Sequence, residues 1–293
     1  MNSKLKSIYE HKYKLLLIIP FLIFVLAVLQ IGIQTAVTGD FVNKGITLKG
    51  GSTITVEDGS IDVLELEQFL NEKFPGADIS IRTITAAGSI TGIAIDSDAQ
   101  ENEEIDNLIN VLEEKINLDR SEYSIEVMGS SLGKSFFKQT LIALLIAFLL
   151  MGLVVLVYFR TIIPSLAVIL AALSDIVVTL AIFNLIGMKL STAGIAAFLM
   201  LIGYSVDTDI LLSSRLLKRK EGTVMERIYG AMKTGLTMST TTLVAISVAL
   251  IFVQSEVVKQ IMLILFIGLL VDLIMTWIQN VGILRLYLER KRK

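Results

Sequence analysis

Apolar residues fall into six runs of about 20, each long enough to cross the ~30 Å hydrocarbon layer of a bilayer as a helix. They cover approximately 15–34, 138–158, 162–186, 190–212, 234–254 and 258–284. The first run follows Lys4, Lys6, Lys12 and Lys14, as a secretory signal would. It is about 19 residues long, however, and no small-x-small cleavage site follows it, so it reads as an uncleaved anchor.

Between the first two runs, residues 35–135 change pattern. Ser52-Thr53-Ile54-Thr55-Val56 alternates at period two after Gly50-Gly51, as a half-buried strand does. Asp62 is placed to cap a helix running to about Phe74, with Leu64, Leu66, Phe69 and Leu70 as apolar positions and Pro75-Gly76 as its stop. Ile79–Ile84 and Ile90–Ile95 predict two further strands, joined through Ala86-Ala87-Gly88-Ser89. A second helix spans about Glu101 to Ile116, burying Ile105, Leu108, Ile109, Leu112 and Ile116, and Tyr123–Val127 is the last strand. The order β-α-β-β-α-β predicts a ferredoxin-like α+β domain with both helices on one face of a four-stranded antiparallel sheet.

Composition supports this class, with 54% hydrophobic residues, 18% charged residues and mean hydropathy +0.72, values foreign to a soluble globule. The chain has no cysteine, which excludes disulfides, thiol nucleophiles and thiolate metal sites. Its one histidine, His11, lies in the charged leader 1–14, where an exposed side chain without a task is expected. Lysine and arginine gather in that leader, in the 213–233 loop (Arg215, Lys218, Arg219, Lys220, Arg227, Lys233) and in the tail 285–293. The loops on the opposite side offer only Lys189 and Lys259. Both termini are therefore predicted to be cytoplasmic and 35–135 extracytoplasmic. The basic loop, with Met225-Glu226-Arg227-Ile228, predicts a short helix at the inner surface; its charges serve topology and lipid contact, or a docking partner.

The segment 35–135 holds 19 of the 28 acids against 7 Lys/Arg. The densest group, Asp96, Asp98, Glu101, Glu103 and Glu104, lacks the glycine and final glutamate of an EF-hand loop and reads as a solvated acidic surface. No catalytic constellation is evident, and neither metal nor cofactor is expected. The polar outer face of the sheet could contact an extended polypeptide.

Chemistry concentrates in the spans, where Asp175, Asp207, Asp209 and Asp272 sit among apolar residues. A carboxylate at the centre of a spanning helix costs roughly 2.5–3.5 kcal/mol, so each calls for a polar partner or a water path. Asp175 shares an every-fourth-residue stripe with Ala167, Ala171 and Thr179, and Ala193, Ala197 and Gly203 offer close-packing positions on span 4. Asp207 and Asp209 are about 200° apart around their helix and cannot share a face. Thr237 and Thr241 lie on one stripe of span 5; such threonines either solvate a carboxyl or bond their own backbone. Asp272 has Thr276 one turn away and Gln279 on about the same side, as polar glue between helices or as a proton group.

These elements resemble the SecF family, the six-span partners of SecD in protein export. Gly39-Asp40-Phe41 with Lys49-Gly50-Gly51-Ser52 resembles the family's Asp-Phe and Gly-Gly elements, here separated by an insertion. Val127 to Lys134 is similar to its Val-Gly-x-x-x-Gly approach to span 2, and Ser174-Asp175-Ile176-Val177 to its His-Asp-Val motif with serine for histidine. Gly203-Tyr204-Ser205-Val206-Asp207 resembles the Gly-Tyr-Ser signature, and Ser239–Leu243 the Ser/Thr-rich element of span 5. The bacterial arginine near the start of span 5 is replaced by Lys233 or Thr234, and Asp207-Thr208-Asp209 looks archaeal.

The resemblance implies a factor linked to the proton motive force that assists late translocation of polypeptides beside the translocon channel, in complex with SecD. The outer domain would be a mobile element touching the emerging chain. On this reading Asp207, assisted by Asp175 or Asp209, is the expected proton-relay group, in a polar seam of Tyr204, Ser205, Thr237 and Thr241. The partners expected are SecD, the channel, the polypeptide and membrane lipid, with no nucleic acid. Competing readings are a small-molecule exporter of the resistance-nodulation-division type, a noncatalytic scaffold, and an intramembrane aspartyl protease. The protease lacks support: neither Leu173-Ser174-Asp175 nor Val206-Asp207 supplies the required Tyr-Asp and Gly-x-Gly-Asp.

Overall fold

The computed structural model describes residues 7, 9–86, 89–116, 118, 122–219, 221–253 and 255–292. Lys4, Lys6, Lys220 and Lys293 of the basic clusters, and Ala87 and Gly88 of the turn, lie outside the described residues. A short α1 (Tyr13–Leu16) runs into α2 (Ile18–Thr38), the first span. After a one-turn α3 (Ile46–Lys49) come β1 (Gly51–Val56), α4 (Val63–Lys73), β2 (Ser80–Ala86), β3 (Ser89–Ser97), α5 (Asn102–Ile116) and β4 (Tyr123–Met128). Four long helices follow: α6 (Ser130–Phe159), α7 (Ile162–Leu185), α8 (Thr192–Lys218) and α9 (Val224–Phe252). The last span is α10 (Glu256–Ile274), a π-helical turn (Met275–Asn280) and α11 (Val281–Arg292). Among the described residues six helical stretches are long and apolar enough to cross a membrane.

Strand order is β2-β3-β1-β4 with every pair antiparallel, which is the ferredoxin-like arrangement. The period-two pattern explains the register. Ile54 pairs with Ile95 and Val56 with Ile93, and all four bury against Leu66 and Leu70 of α4 and Ile105, Leu108 and Leu112 of α5. Leu64, expected in this core, is exposed; α4 turns only its Leu66 and Leu70 stripe inward. The Asp62 carboxylate caps α4, accepting from the Leu64 and Glu65 amides at 3.0 and 3.2 Å. Asp62→Ala is expected to cost the sheet domain about 1 kcal/mol, measurable as a lowered thermal midpoint.

In the membrane part the helix ends differ from expectation. The short surface helix foreseen in 213–233 is absent as a separate element. Thr223 and Glu226 form a reciprocal capping box, which starts α9 at Val224, while α8 continues to Lys218. Helices α7, α8 and α10 form the buried centre. They approach closely through Ala167, Ala171 and Ala197, all buried, and through Gly268, which takes the Leu201 side chain. Gly203, expected to pack, faces open space.

The sheet domain is fastened to the span 3–4 loop. Gly45 N–H donates to the Leu190 carbonyl at 2.8 Å, and Leu190 N–H donates to that of Asn43 at 2.6 Å. Lys189 Nζ donates to Asp78 Oδ1 at 2.9 Å and to Ser80 Oγ at 3.0 Å, while Lys49 reaches Asp78 Oδ2 at 3.0 Å. Part of the sheet's outer face, Thr53, Ser80, Arg82 and Asp96, lines a cavity of about 450 Å3 against Lys189, Ser191 and Gln260. Partial burial alone would push the Asp78 carboxyl up, but the hydrogen bonds and charges of Lys189 and Lys49 outweigh it and hold the carboxyl below its usual range. A depressed carboxylate stabilises its contacts above its unfolded value and loses that contribution as pH falls through the folded one. Acidification below about pH 4 is therefore expected to loosen the domain from the loop, seen as faster amide exchange at 43–50 and 187–191. Asp78→Asn should remove the pH dependence; unchanged exchange at all pH values would contradict the fastening.

Candidate functional site: a buried carboxylate cluster

Three aspartates from three spans meet in the centre of the helix bundle. Asp175 of α7, Asp209 of α8 and Asp272 of α10 are each 0% exposed. The predicted α7 stripe does lie inward, since Ala167, Ala171 and Thr179 are buried with Asp175. Ser205 donates a short hydrogen bond to Asp175 Oδ2. Thr276 Oγ1 lies 2.8 Å from Asp272 Oδ1 and 3.0 Å from Asp209 Oδ1, and Asn280 Nδ2 donates to Asp209 Oδ1 at 2.7 Å. Gln279 Nε2 donates to Ser174 Oγ at 3.2 Å. The three carboxyls lie close enough to repel one another electrostatically when charged.

Counting hydrogens shows what this arrangement requires. Thr276 owns one hydroxyl hydrogen yet touches two carboxyl oxygens, so at most one of those contacts can be its donation. The other is a hydrogen bond only if the carboxyl brings the proton. Asp175 Oδ1, Asp209 Oδ2 and Asp272 Oδ2 have no hydrogen-bond partner among the described residues. A buried acceptor left without a donor costs about 1–3 kcal/mol, so the cluster is short of hydrogens that protons can supply.

The π-turn shapes the third wall of the site. It begins three residues after Asp272 and contributes Thr276, Gln279 and Asn280, all buried. An every-fourth-residue pattern, Asp272, Thr276, Asn280, was present in the sequence and is the signal that points to Asn280. Single π-turns within α-helices occur disproportionately at functional sites.

The structure divides the residues singled out from sequence. Asp209, not Asp207, faces inward. Asp207 is exposed on the opposite side of α8 and lines a cavity of about 620 Å3 with Tyr158, Ser214, Arg215, Lys218 and Met238. The expected seam between spans 3, 4 and 5 is replaced by one between spans 3, 4 and 6. Of the proposed seam residues only Ser205 belongs to it; Tyr204 is exposed. Thr237 and Thr241 are exposed and donate to the backbone of their own helix, at Lys233 and Met238, both at 2.8 Å. Their hydroxyls are satisfied locally and need no carboxylate.

Six spans, a ferredoxin-like domain inserted after the first, and acidic groups buried between spans 3, 4 and 6 define a polytopic membrane protein. The sequence model of the family "Protein export membrane protein SecD/SecF, C-terminal" matches residues 108–290. The chain is 38% identical over 293 residues to the protein-export membrane protein SecF of Pyrococcus furiosus, covering 99% of this chain and 96% of that one. It is 40% identical to the Methanothermobacter thermautotrophicus SecF, covering 94% of this chain and 93% of the relative. Among solved structures it resembles SecDF, a translocon-associated membrane protein from Thermus thermophilus, with TM-score 0.72 and 23% identity. That match covers 96% of this chain but only 38% of the SecDF chain, and it bears on the fold. The chain belongs to the SecF family of protein-export membrane proteins.

Proposed function

We propose that this protein assists export of polypeptides across the cell membrane as the SecF-type subunit of a complex with a SecD-type partner, driven by protons passing through the Asp175, Asp209 and Asp272 cluster. The carrying observation is the shortage of hydrogens among three fully buried carboxyls. A site of this kind has a different hydrogen-bond network for each number of protons it holds. One unit charge moved through 100 mV releases about 2.3 kcal/mol, enough to bias two helix packings that differ by a few kcal/mol. The fastening at Lys189 and Leu190 would carry such a change to the outer domain.

The basic leader, the 213–233 loop and the tail support a cytoplasmic position for both termini, with the sheet domain outside. Asp207 then opens on a cavity near the cytoplasmic surface and supplies the approach by which protons reach the interior. The SecD-type partner covers the face of α8 and α9 that shows Gly203, Tyr204, Asp207, Thr237 and Thr241, which are exposed at membrane depth. The channel and the emerging polypeptide lie against the outer domain. The test is export into proteoliposomes holding this protein, its SecD-type partner and the channel, with and without an imposed proton gradient. Gradient-dependent stimulation is expected; a complex that assembles and stimulates export equally without a gradient would leave the scaffold reading in its place.

A further inference from the structure

At the π-turn that carries Thr276 and Asn280, a backbone carbonyl is met from outside its helix. The Val281 N–H reaches the carbonyls of Thr276 and Ile278, not that of Trp277, which α-helical spacing would present. The Trp277 carbonyl instead accepts from Tyr9 Oη at 2.8 Å. Tyr9 belongs to the segment before the first span and packs against the buried cluster that includes Leu212, Ile228, Trp277 and Val281.

That segment is held firmly. Arg285, only 9% exposed, donates to the carbonyls of Tyr9 and Glu10 at 3.0 and 2.8 Å, and its guanidinium sits 3.8 Å from the centre of the Tyr13 ring. Tyr229 of α9 donates to Glu10 Oε1 at 2.9 Å. Two further contacts fix the turn: Trp277 fills the space a side chain at Gly235 would need, and Leu17 abuts Gly282. Burial pushes the Tyr9 phenol above its ordinary value, so it remains a donor across the physiological range.

We infer that Tyr9 is a positioning residue for the carboxylate cluster: its hydrogen bond to Trp277 holds the π-turn in the register that presents Thr276 and Asn280 to Asp209. The inference rests on the proton reading of that cluster. Reverting the turn to α-helical register would rotate one flank against the other by about 100°, which takes Asn280 away from Asp209. The charged groups facing Asp209 are Asp272 and Asp175, and the Thr276 hydroxyl that Asp209 shares with Asp272 would move with the turn.

The experiment compares wild type, Tyr9→Phe and Arg285→Lys in the full chain within the assembled complex. It reads amide exchange at 275–282 and the pH at which half of Asp209 reacts with dicyclohexylcarbodiimide, a reagent for protonated carboxyls in apolar surroundings. Tyr9→Phe removes one hydroxyl and keeps the ring. It is expected to speed exchange at 275–282 about fivefold, the size of one lost hydrogen bond. The half-labelling pH of Asp209 should rise by about one unit as its carboxylate loses donors. Arg285→Lys, which frees the whole segment, should shift both readouts the same way. Unchanged exchange in Tyr9→Phe overturns the inference, and so does faster exchange with an unmoved half-labelling pH. If wild-type Asp209 labelling shows no dependence on pH, the proton reading fails by itself, and faster exchange would then mark Tyr9 as a positioning residue for the turn alone.

Discussion

Asp272→Asn is expected to abolish the gradient-dependent part of export while leaving the complex assembled. Asparagine matches aspartate in volume and can still meet Thr276, so the helix contacts survive. What it cannot do is take up or release a proton. Asp272 is the member of the cluster that shares the Thr276 hydroxyl with Asp209, so losing its proton breaks that link. The bias available from one charge crossing 100 mV, about 2.3 kcal/mol, is about fiftyfold in an equilibrium constant, which sets the scale of the loss. Asp175→Asn and Asp209→Asn should behave alike. Asp207→Asn, placed outside the cluster, should slow export by less than about tenfold, the scale of one exposed group. Export is measured in proteoliposomes with an imposed gradient, alongside recovery of the SecD-type partner. Full gradient-driven export in Asp272→Asn would falsify the proton role. A graver effect from Asp207→Asn than from Asp209→Asn would return the central role to the residue favoured by sequence.

A second large effect, on stability, is expected for Gly51→Ala. Gly51 has φ +140° and an added Cβ would lie 2.2 Å from the Ser97 carbonyl oxygen; its neighbour Gly50 has φ +92° and would place a Cβ 2.4 Å from Ser130 Cα. The obstructing atoms are backbone, so they cannot step aside as a flexible side chain would. Backbone strain of this kind costs about 1–3 kcal/mol before any steric term. With the clash added, a loss above about 3 kcal/mol is expected, among the larger effects of single substitutions. In a domain of this size that lowers the thermal midpoint by more than about 10 °C. Gly76→Ala is the control: it has φ +115° but nothing within 4 Å, so only the strain remains. Limited proteolysis of the outer domain against temperature separates the two. Equal midpoints for the variants would show that the crowding at Gly51 is relieved by an easy shift. The junction matters to function because Gly50, Ser130 and Gly133 bring the exit of the first span, the sheet and the start of the second span together.

Much of this architecture was legible before any coordinates. Twenty-residue apolar runs have one economical solution in a bilayer, since a helix satisfies its own backbone there. The sheet domain was legible because period two and spacings of three and four separate strands from helices, and Asp62 announced a helix start through local chemistry. Loop 213–233 misled because a surface helix and the first turns of a spanning helix share the same capping signal; only continuity through Lys233 tells them apart. Thr237 and Thr241 misled for a related reason, since a hydroxyl stripe reads the same whether it faces a carboxylate or bonds its own turn.

The sequence by itself determined that Asp207 and Asp209 lie on different faces of one helix, because 100° per residue admits nothing else. It also determined that intramembrane carboxylates exist on three spans and that Asp175 shares a stripe with small residues. Which of the α8 aspartates turns inward was decided by tertiary structure alone. The rotation of α8 is set by Ala197, Leu201 and Ser205 packing against α7 and α10, and that rotation carries Asp209 inside and leaves Asp207 at the rim. The bundle likewise recruited Asp272 in place of the α9 threonines. The π-turn that delivers Thr276 and Asn280 depends on a hydrogen bond from Tyr9, 268 residues away in the chain, and no local pattern can encode a donor so distant.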